Sequence, residues 1–176
     1  MLAKARMICS SATRLPVAMK PLTTEDASGL GLRIAPEGIF SSLQPGQIAD
    51  LEAMGTYIKY DRQLVMADGD TPGYFFCILK GTFEVSKTSQ EPQEKRVLAE
   101  IGEGQCFGEM SFLTSNPASA NVMALEDTIT WAIPHDSLRE FIETHDGGAS
   151  LALGIASLLA RRVQEGNTRL LGLRLA

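Results

Sequence analysis

The sequence has few of the residues that build disulfide frameworks, metal sites and membrane spans. Its three cysteines, Cys9, Cys77 and Cys106, have no motif spacing, which argues against a disulfide scaffold and favours a reducing compartment, the cytoplasm. The two histidines, His135 and His145, form no close pair, so we expect no metal site of the kind found in metal-dependent β-roll enzymes. No Ser-His-Asp or Cys-His arrangement is recognisable, and we expect no catalytic residues. No apolar run approaches the length of a transmembrane helix.

An excess of positive charge is also missing. The chain of 176 residues carries 16 basic and 21 acidic side chains, a net charge of −5. Such a chain has no electrostatic reason to bind nucleic acid or membranes, and we expect neither. The N-terminal residues 1–35 are basic at first and lack clean periodicity, so we interpret them as a poorly patterned, mostly irregular extension.

Short strands separated by turns dominate the middle of the chain, from about Thr56 to Pro134. Turn chemistry occurs at Asp68-Gly69-Asp70, at Lys80-Gly81 and at Gly102-Glu103-Gly104. This regular spacing predicts a mainly β fold with flanking helices, an antiparallel, jelly-roll-like β-roll. The predicted strands cover Tyr57–Tyr60, Tyr74–Leu79, the segment from Phe83, the region of Val97 to Ile101, Asn121–Ala124 and Thr128–Ile133.

Helical periodicity flanks this region on both sides. Before it, two short helices with a turn at Pro45-Gly46 are expected. After Pro134 a helix is predicted, then a break at Gly147-Gly148, then a long helix from about Ser150 toward Leu173. We therefore divide the chain into the extension 1–35, a β-roll domain with flanking helices at 36–148, and a C-terminal helix at 149–176.

The C-terminal helix has a heptad-like apolar pattern that predicts a homodimer. Its spacing alternates between four and three residues, and Gly166 fills the remaining position, where it would let two helices approach closely. Packing of the same face on its own domain is the alternative. The apolar positions are Ala152, Ala156, Leu159, Val163, Leu170 and Leu173.

The most informative segment is Phe107-Gly108-Glu109-Met110-Ser111-Phe112-Leu113, followed by Pro117-Ala118-Ser119-Ala120. It resembles the phosphate-binding cassette of the cyclic-nucleotide-binding domain family, which includes domains of the catabolite-activator and kinase-regulatory-subunit types. The resemblance covers roughly residues 39–165 and includes the Gly69-Asp70 turn.

The resemblance implies a regulatory ligand, cyclic AMP or cyclic GMP, and no further cofactor. Gly108 would let the backbone approach the ligand, the amides after it would bind the phosphate, and Glu109 would accept a hydrogen bond from the ribose 2′-hydroxyl. Arg162 would approach the ribose, and Asn167 or Thr168 the base. The alternative is that the helix residues are a solvated surface and that Glu109 only stabilises a helix start. The candidate nucleotide-binding residues are Phe107, Gly108, Glu109, Met110, Ser111, Ala118, Ser119, Ala120, Val85, Leu98, Arg162, Asn167 and Thr168.

One departure from the family pattern bears on the ligand. The position of the phosphate-binding arginine is occupied by Ala118, and the loss of a charge-assisted hydrogen bond costs about 1.5–3 kcal/mol, or about ten- to a hundredfold in affinity. Weak binding of a cyclic mononucleotide is therefore expected. The alternative function is a degenerate, dimeric protein-interaction module without nucleotide.

We expect the domain to act through another protein rather than on DNA itself. Transcription factors of this family carry a helix-turn-helix domain beyond the long helix, and this chain stops at Ala176, soon after it. We therefore expect no direct DNA reading and an effector protein as a further partner.

Overall fold

Two antiparallel sheets form the centre of the molecule. The computed structural model describes residues 20–89 and 94–174. One sheet has the strand order β1-β2-β9-β4-β7 and the other β3-β8-β5-β6, with every pairing antiparallel. The strands are β1 (Lys20–Leu22), β2 (Thr56–Tyr60), β3 (Leu64–Met66), β4 (Tyr74–Lys80), β5 (Phe83–Thr88), β6 (Lys95–Ile101), β7 (Cys106–Phe107), β8 (Asn121–Ala124) and β9 (Thr128–Pro134).

The predicted antiparallel β-roll is confirmed. Its strands run from Thr56 at the start of β2 to Pro134 at the end of β9, as the turn spacing predicts. Strands β3 and β7, which we did not predict, span three and two residues. Such short strands carry too little alternation to be recognised from sequence.

Strand β9 divides the apolar interior into two parts. Its residues from Thr128 to Ile133 are all buried. Trp131 belongs to the cluster that the helices cover, and Ala132 to the cluster between the two sheets, which includes Phe76, Phe83 and Phe107. Because successive side chains of a strand point to opposite faces, one continuous apolar strand serves both clusters.

The helical segment before the roll is present, but its turn is placed differently from the prediction. A 3-10 turn covers Gly38–Phe40, and α2 covers Pro45–Ala53. Pro45 and Gly46 are therefore the first turn of α2 rather than a connection between two helices. Proline fits this position because the first helical N–H has no acceptor within the helix.

The segment before residue 36 is more regular than we predict. Strand β1 pairs with β2, and helix α1 (Thr24–Gly29) follows it. Thr23 caps this helix, because its Oγ1 accepts a hydrogen bond from the N–H of Asp26 at 3.0 Å. The expectation of irregular structure is thus wrong for residues 20–29, whereas residues 1–19 lie outside the described residues. The domain boundaries at 36 and 149 remain predictions.

Glycines let the C-terminal helices pack closely. Helix α4 covers His135–Thr144, and α5 covers Gly148–Arg174. A Cβ at Gly148 would lie 2.2 Å from the carbonyl oxygen of Ile142, and one at Gly154 2.3 Å from that of Ile39. The predicted break at Gly147-Gly148 is therefore one residue off, since Gly148 begins α5. Over the described ranges, no helix is both long and apolar enough to cross a membrane.

Candidate functional site

A cavity of about 600 Å³ lies between the four-stranded sheet, the short helix α3 (Glu109–Thr114) and α5. Eleven of the thirteen predicted site residues line it. They are Val85, Leu98, Phe107, Gly108, Glu109, Met110, Ser111, Ala118, Ser119, Ala120 and Arg162. Segments far apart in the sequence therefore meet at one concave surface, the usual form of a small-molecule site.

Gly108 caps the N-terminus of α3 in a conformation that only glycine adopts readily. Its φ is +88°, and a Cβ there would lie 2.7 Å from the carbonyl oxygen of Tyr74. The backbone therefore turns sharply from β7 into α3 beside the cavity. The first N–H groups of a helix have no acceptor within the helix, so this turn presents backbone donors at the cavity wall.

Glu109 is the buried carboxylate of the site, with 3% of its surface exposed. Nη1 of Arg162 donates a hydrogen bond to its Oε1, and Nη2 of the same guanidinium donates to the carbonyl oxygen of Cys106. The carboxylate thus has a cationic partner, as a buried charge requires. The pair also links α3 and β7 to α5.

The segment Ala118–Ala120 forms another part of the cavity wall and is fixed to the turn that we predicted at Gly69-Asp70. The N–H of Ala118 donates to the carbonyl oxygen of Asp70 at 2.7 Å, and the N–H of Gly69 donates to the carbonyl oxygen of Ala118 at 2.8 Å. Ala118 and Ala120 are buried, whereas Ser119 is exposed. The backbone of Ala118 is therefore held beside the Gly69-Asp70 turn.

Two predicted site residues do not reach the cavity. Asn167 and Thr168 are exposed on α5 and are absent from the cavity wall. The hydroxyl of Thr168 donates to the carbonyl oxygen of Gln164 within its own helix. Helical phase explains Asn167, which points away from the face that Arg162 and Arg169 share. Thr168 lies seven residues after Arg161 and on the same face, but its side chain is much shorter than that of an arginine.

Helix α5 brings three further charged residues to the cavity wall that are not among the predicted site residues, Arg161, Glu165 and Arg169. Nη1 of Arg169 donates to the carbonyl oxygen of Leu98 on β6. The spacing of Arg162, Glu165 and Arg169 at i, i+3 and i+7 was the available signal, since such residues lie on one face of a helix. Gly166, which we assigned to a helix–helix contact, also lines the cavity.

The cysteines beside the site are buried thiols. Cys77 and Cys106 are free and directly opposite each other on β4 and β7. A hydrogen bond with the Cys77 thiol, together with burial, raises the pKa of the Cys106 thiol well above its usual value. A thiol with a raised pKa is a poor nucleophile. Cys9 lies outside the described residues.

Comparison with known proteins agrees with this geometry. Residues 60–145 match the family model of the cyclic nucleotide-binding domain. Over these residues the chain belongs to the cyclic nucleotide-binding domain family. The match begins in β2 and ends just after α4, so it includes α3, Gly108 and the Ala118–Ala120 segment.

Members of the cyclic nucleotide-binding domain family from bacteria and fungi are similar to the chain. The cyclic AMP receptor protein of Thermus thermophilus is 32% identical over 106 residues, which are 60% of this chain and 47% of that protein. The cAMP-dependent protein kinase regulatory subunit of Neurospora crassa is 27% identical over 133 residues, 69% of this chain and 34% of that protein. In both cases the matched region is less than half of the relative.

The fold of a solved cyclic nucleotide-binding domain from Methylobacillus flagellatus matches nearly the whole chain. The TM-score is 0.76 and the sequence identity 21%, and the match covers 88% of this chain and 89% of that one. This likeness extends the shared fold beyond residues 60–145 to the flanking helices.

Proposed function

We propose that the chain is a regulatory, non-catalytic module that binds a cyclic mononucleotide, cyclic AMP or cyclic GMP, in the cavity between the β-roll and α5. The observation that carries the proposal is the convergence of Gly108, Glu109 and the Ala118–Ala120 segment on one cavity. A carboxylate, backbone donors and apolar walls in one concave space suit a ligand with a ribose, a phosphate and a flat base.

In the proposed complex the phosphate lies near the amides after Gly108 and the ribose near Glu109. Glu109 is acceptor-only when ionised, so it suits a 2′-hydroxyl donor. Because Ala118 brings no charge to the phosphate, binding is weaker than in a domain that has arginine there. The relatives whose names include cyclic AMP receptor and kinase regulatory subunit support this ligand class.

Calorimetric titration with cyclic AMP and cyclic GMP tests the proposal. Binding of either nucleotide that weakens about ten- to a hundredfold in Glu109→Gln, and that also weakens for the 2′-deoxy nucleotide, supports it. Glu126→Gln is the matched control, because this acid is exposed and absent from the cavity wall. If neither nucleotide binds at millimolar concentration, the proposal is wrong.

A second candidate function is a degenerate module that binds a protein and no nucleotide. Two observations favour it: Ala118 lacks the arginine charge, and Glu109 already has a partner in Arg162. Absence of binding in the titration above, together with a folded protein, would select this function.

We also propose that the domain forms a homodimer through one face of α5. Val163 is 61% exposed, and Ala156 is exposed on the same heptad pattern. Leu159 lies beside them and lines an apolar groove with Phe112 and Leu113. The side chains of Leu170 and Leu173 lie outside the described residues. Association of two such faces would bury their apolar surface.

We propose that the module acts on an effector protein. The net charge of −5 gives the chain no general attraction for nucleic acid. The free thiols of Cys77 and Cys106 suit a reducing compartment such as the cytoplasm.

A further inference from the structure

The positive charges of the cavity wall all lie on one element. Among the described residues that line the cavity, the only basic ones are Arg161, Arg162 and Arg169, and all three belong to α5. The described β-roll residues of the wall include the acids Glu100 and Glu109 and no lysine or arginine. Just outside the wall, Nζ of Lys87 on β5 donates to the carbonyl oxygen of Ser119 at 3.2 Å. A ligand with a negative charge therefore meets the arginines of the cavity wall on the helix that covers the roll.

We propose that α5 supplies the cation that binds the ligand phosphate, and that Arg162 makes this contact in place of residue 118. The inference rests on the proposed function and names the residue that offsets the missing charge at Ala118. It also makes α5 part of the ligand site rather than a neighbouring element.

The contacts of Arg162 place its guanidinium close to the Gly108 turn of the cavity wall. Its guanidinium bonds to Glu109, the residue next to Gly108, and to the carbonyl oxygen of Cys106, two residues before Gly108. Both groups adjoin the turn that presents backbone donors to the cavity. An anion at this turn would therefore lie within reach of the Arg162 side chain.

The guanidinium group can hold Glu109 and a phosphate together. Arginine has five N–H donors in a planar fork, and the two recorded bonds use one donor on each Nη. The Arg162 side chain is 31% exposed, so part of it borders open space. Bridging of a carboxylate and a phosphate by one guanidinium would keep Glu109 oriented for the ribose.

Arg169 fixes the next turns of α5 over the cavity. Its bond to the carbonyl oxygen of Leu98, another residue of the cavity wall, ties the helix to β6. The helix is thus joined to the roll by arginines at two places. A phosphate bound to Arg162 would add a third attachment, so ligand binding and helix docking would strengthen each other.

Two ligands and three variants test the proposal. The ligands are cyclic AMP, which has one negative charge, and adenosine, which keeps the base and the 2′-hydroxyl without the phosphate. The variants are Arg162→Gln, Arg162→Lys and the control Arg96→Gln, which removes an exposed charge from β6 outside the cavity wall. Cyclic GMP and guanosine replace the adenine pair if cyclic GMP binds wild type more tightly.

The proposal predicts a loss that depends on the phosphate. Arg162→Gln weakens cyclic AMP about ten- to a hundredfold more than it weakens adenosine, Arg162→Lys restores part of the cyclic AMP affinity, and Arg96→Gln changes neither ligand. In the double variant Ala118→Arg/Arg162→Gln, the β-roll supplies the positive charge, and the affinity for cyclic AMP is recovered. An equal loss for both ligands would show that Arg162 only supports the fold and would overturn the proposal.

The outcomes separate this proposal from the proposed function. If wild type binds cyclic AMP or cyclic GMP and Arg162→Gln binds it equally well, the function stands and the assignment of Arg162 is wrong. If wild type binds neither nucleotide, the proposed function fails and this inference fails with it. Hydrogen exchange of α5 gives a second readout, because phosphate binding through Arg162 predicts slower exchange with cyclic AMP than with adenosine.

Discussion

Arg162 of α5 donates a hydrogen bond to Oε1 of Glu109, which lies 53 residues earlier at the start of α3. The carboxylate is buried and the guanidinium is partly exposed. This pair joins the segment that resembles a phosphate-binding cassette to the helix that covers it. The hydrogen bond between Arg162 and Glu109 therefore already links the β-roll to α5 within the candidate site.

Loss of Glu109 should destabilise the fold as well as the site. Glu109→Ala leaves the Arg162 guanidinium beside α3 without its carboxylate partner. We expect the free energy of unfolding to fall by about 1–3 kcal/mol, a limited loss because the Arg162 side chain is partly exposed to water. Urea denaturation measures it. The double variant Glu109→Ala/Arg162→Ala should lose less than the sum of the single losses. Additive losses would mean that the pair contributes nothing to stability.

A positive charge at position 118 should strengthen nucleotide binding. Ala118 is buried and lines the cavity, so an arginine there would direct its guanidinium into the cavity. We expect Ala118→Arg to tighten cyclic nucleotide binding by about ten- to a hundredfold, measured by calorimetry. Ala118→Gln is the control for side-chain length without charge. Equal effects of both variants would assign the gain to size rather than charge.

Substitution of Gly108 should be costly for two separable reasons. Its φ is +88°, and an added Cβ would contact the carbonyl oxygen of Tyr74, whereas Gly69 has a φ of +92° with open space beside it. Gly69→Ala therefore reports backbone strain alone, about 1–2 kcal/mol. We expect Gly108→Ala to lower the free energy of unfolding more than Gly69→Ala does. Equal losses in urea titrations would exclude a role for the Tyr74 contact.

Two variants of α5, each replacing one apolar residue by glutamate, test the proposed dimer. Val163 lies on the heptad-like pattern, and Leu153 is 70% exposed but lies outside it. In light scattering at high micromolar concentration we expect wild type and Leu153→Glu to be dimers and Val163→Glu to be a monomer, because a buried carboxylate at the interface lacks a partner. A monomeric wild type would contradict the dimer.

The half-buried His135 of α4 should make stability depend on pH. Burial lowers the pKa of His135, since it disfavours the charged ring, and nearby Asp136 and Arg139 act in opposite directions. The unfolded chain binds more protons at this residue, so stability rises with pH below the ordinary histidine pKa of about 6.5. We expect wild type to lose more unfolding free energy than His135→Gln when the pH falls from 7 to 5. Equal losses would mean that His135 has the same pKa in the folded and unfolded chains.

The roll could be predicted because its signals are local. Gly69, Gly81 and Gly104 all adopt positive φ at turns, and the strands between such turns have apolar residues at recognisable spacing. The same holds for Gly108, Glu109 and Ala118, which stand within a short stretch of sequence. Local patterns do not reveal β1 or β3, which exist because an adjacent strand provides hydrogen-bonding partners.

The contribution of α5 to the cavity could not be predicted in the same way. Which face of the helix turns inward depends on its docking, and Gly154 against the carbonyl oxygen of Ile39 is a contact between distant segments. Our assignment of Asn167 used its position along the helix and ignored the phase of the helix. Arg162 and Arg169 face the cavity because the buried side chains Leu151 and Ile155 fix that phase.

The central claim is that this cavity binds a cyclic nucleotide, and amide chemical-shift mapping tests it most directly. In ¹H–¹⁵N spectra of wild type titrated with cyclic AMP or cyclic GMP, we predict concentration-dependent, saturable shifts of the amides of Gly108, Glu109, Met110, Ser119 and Ala120. Residues of β1 and α1, which do not line the cavity, serve as the internal control. Saturable shifts confined to other parts of the molecule, or no shifts at millimolar nucleotide, would contradict the account.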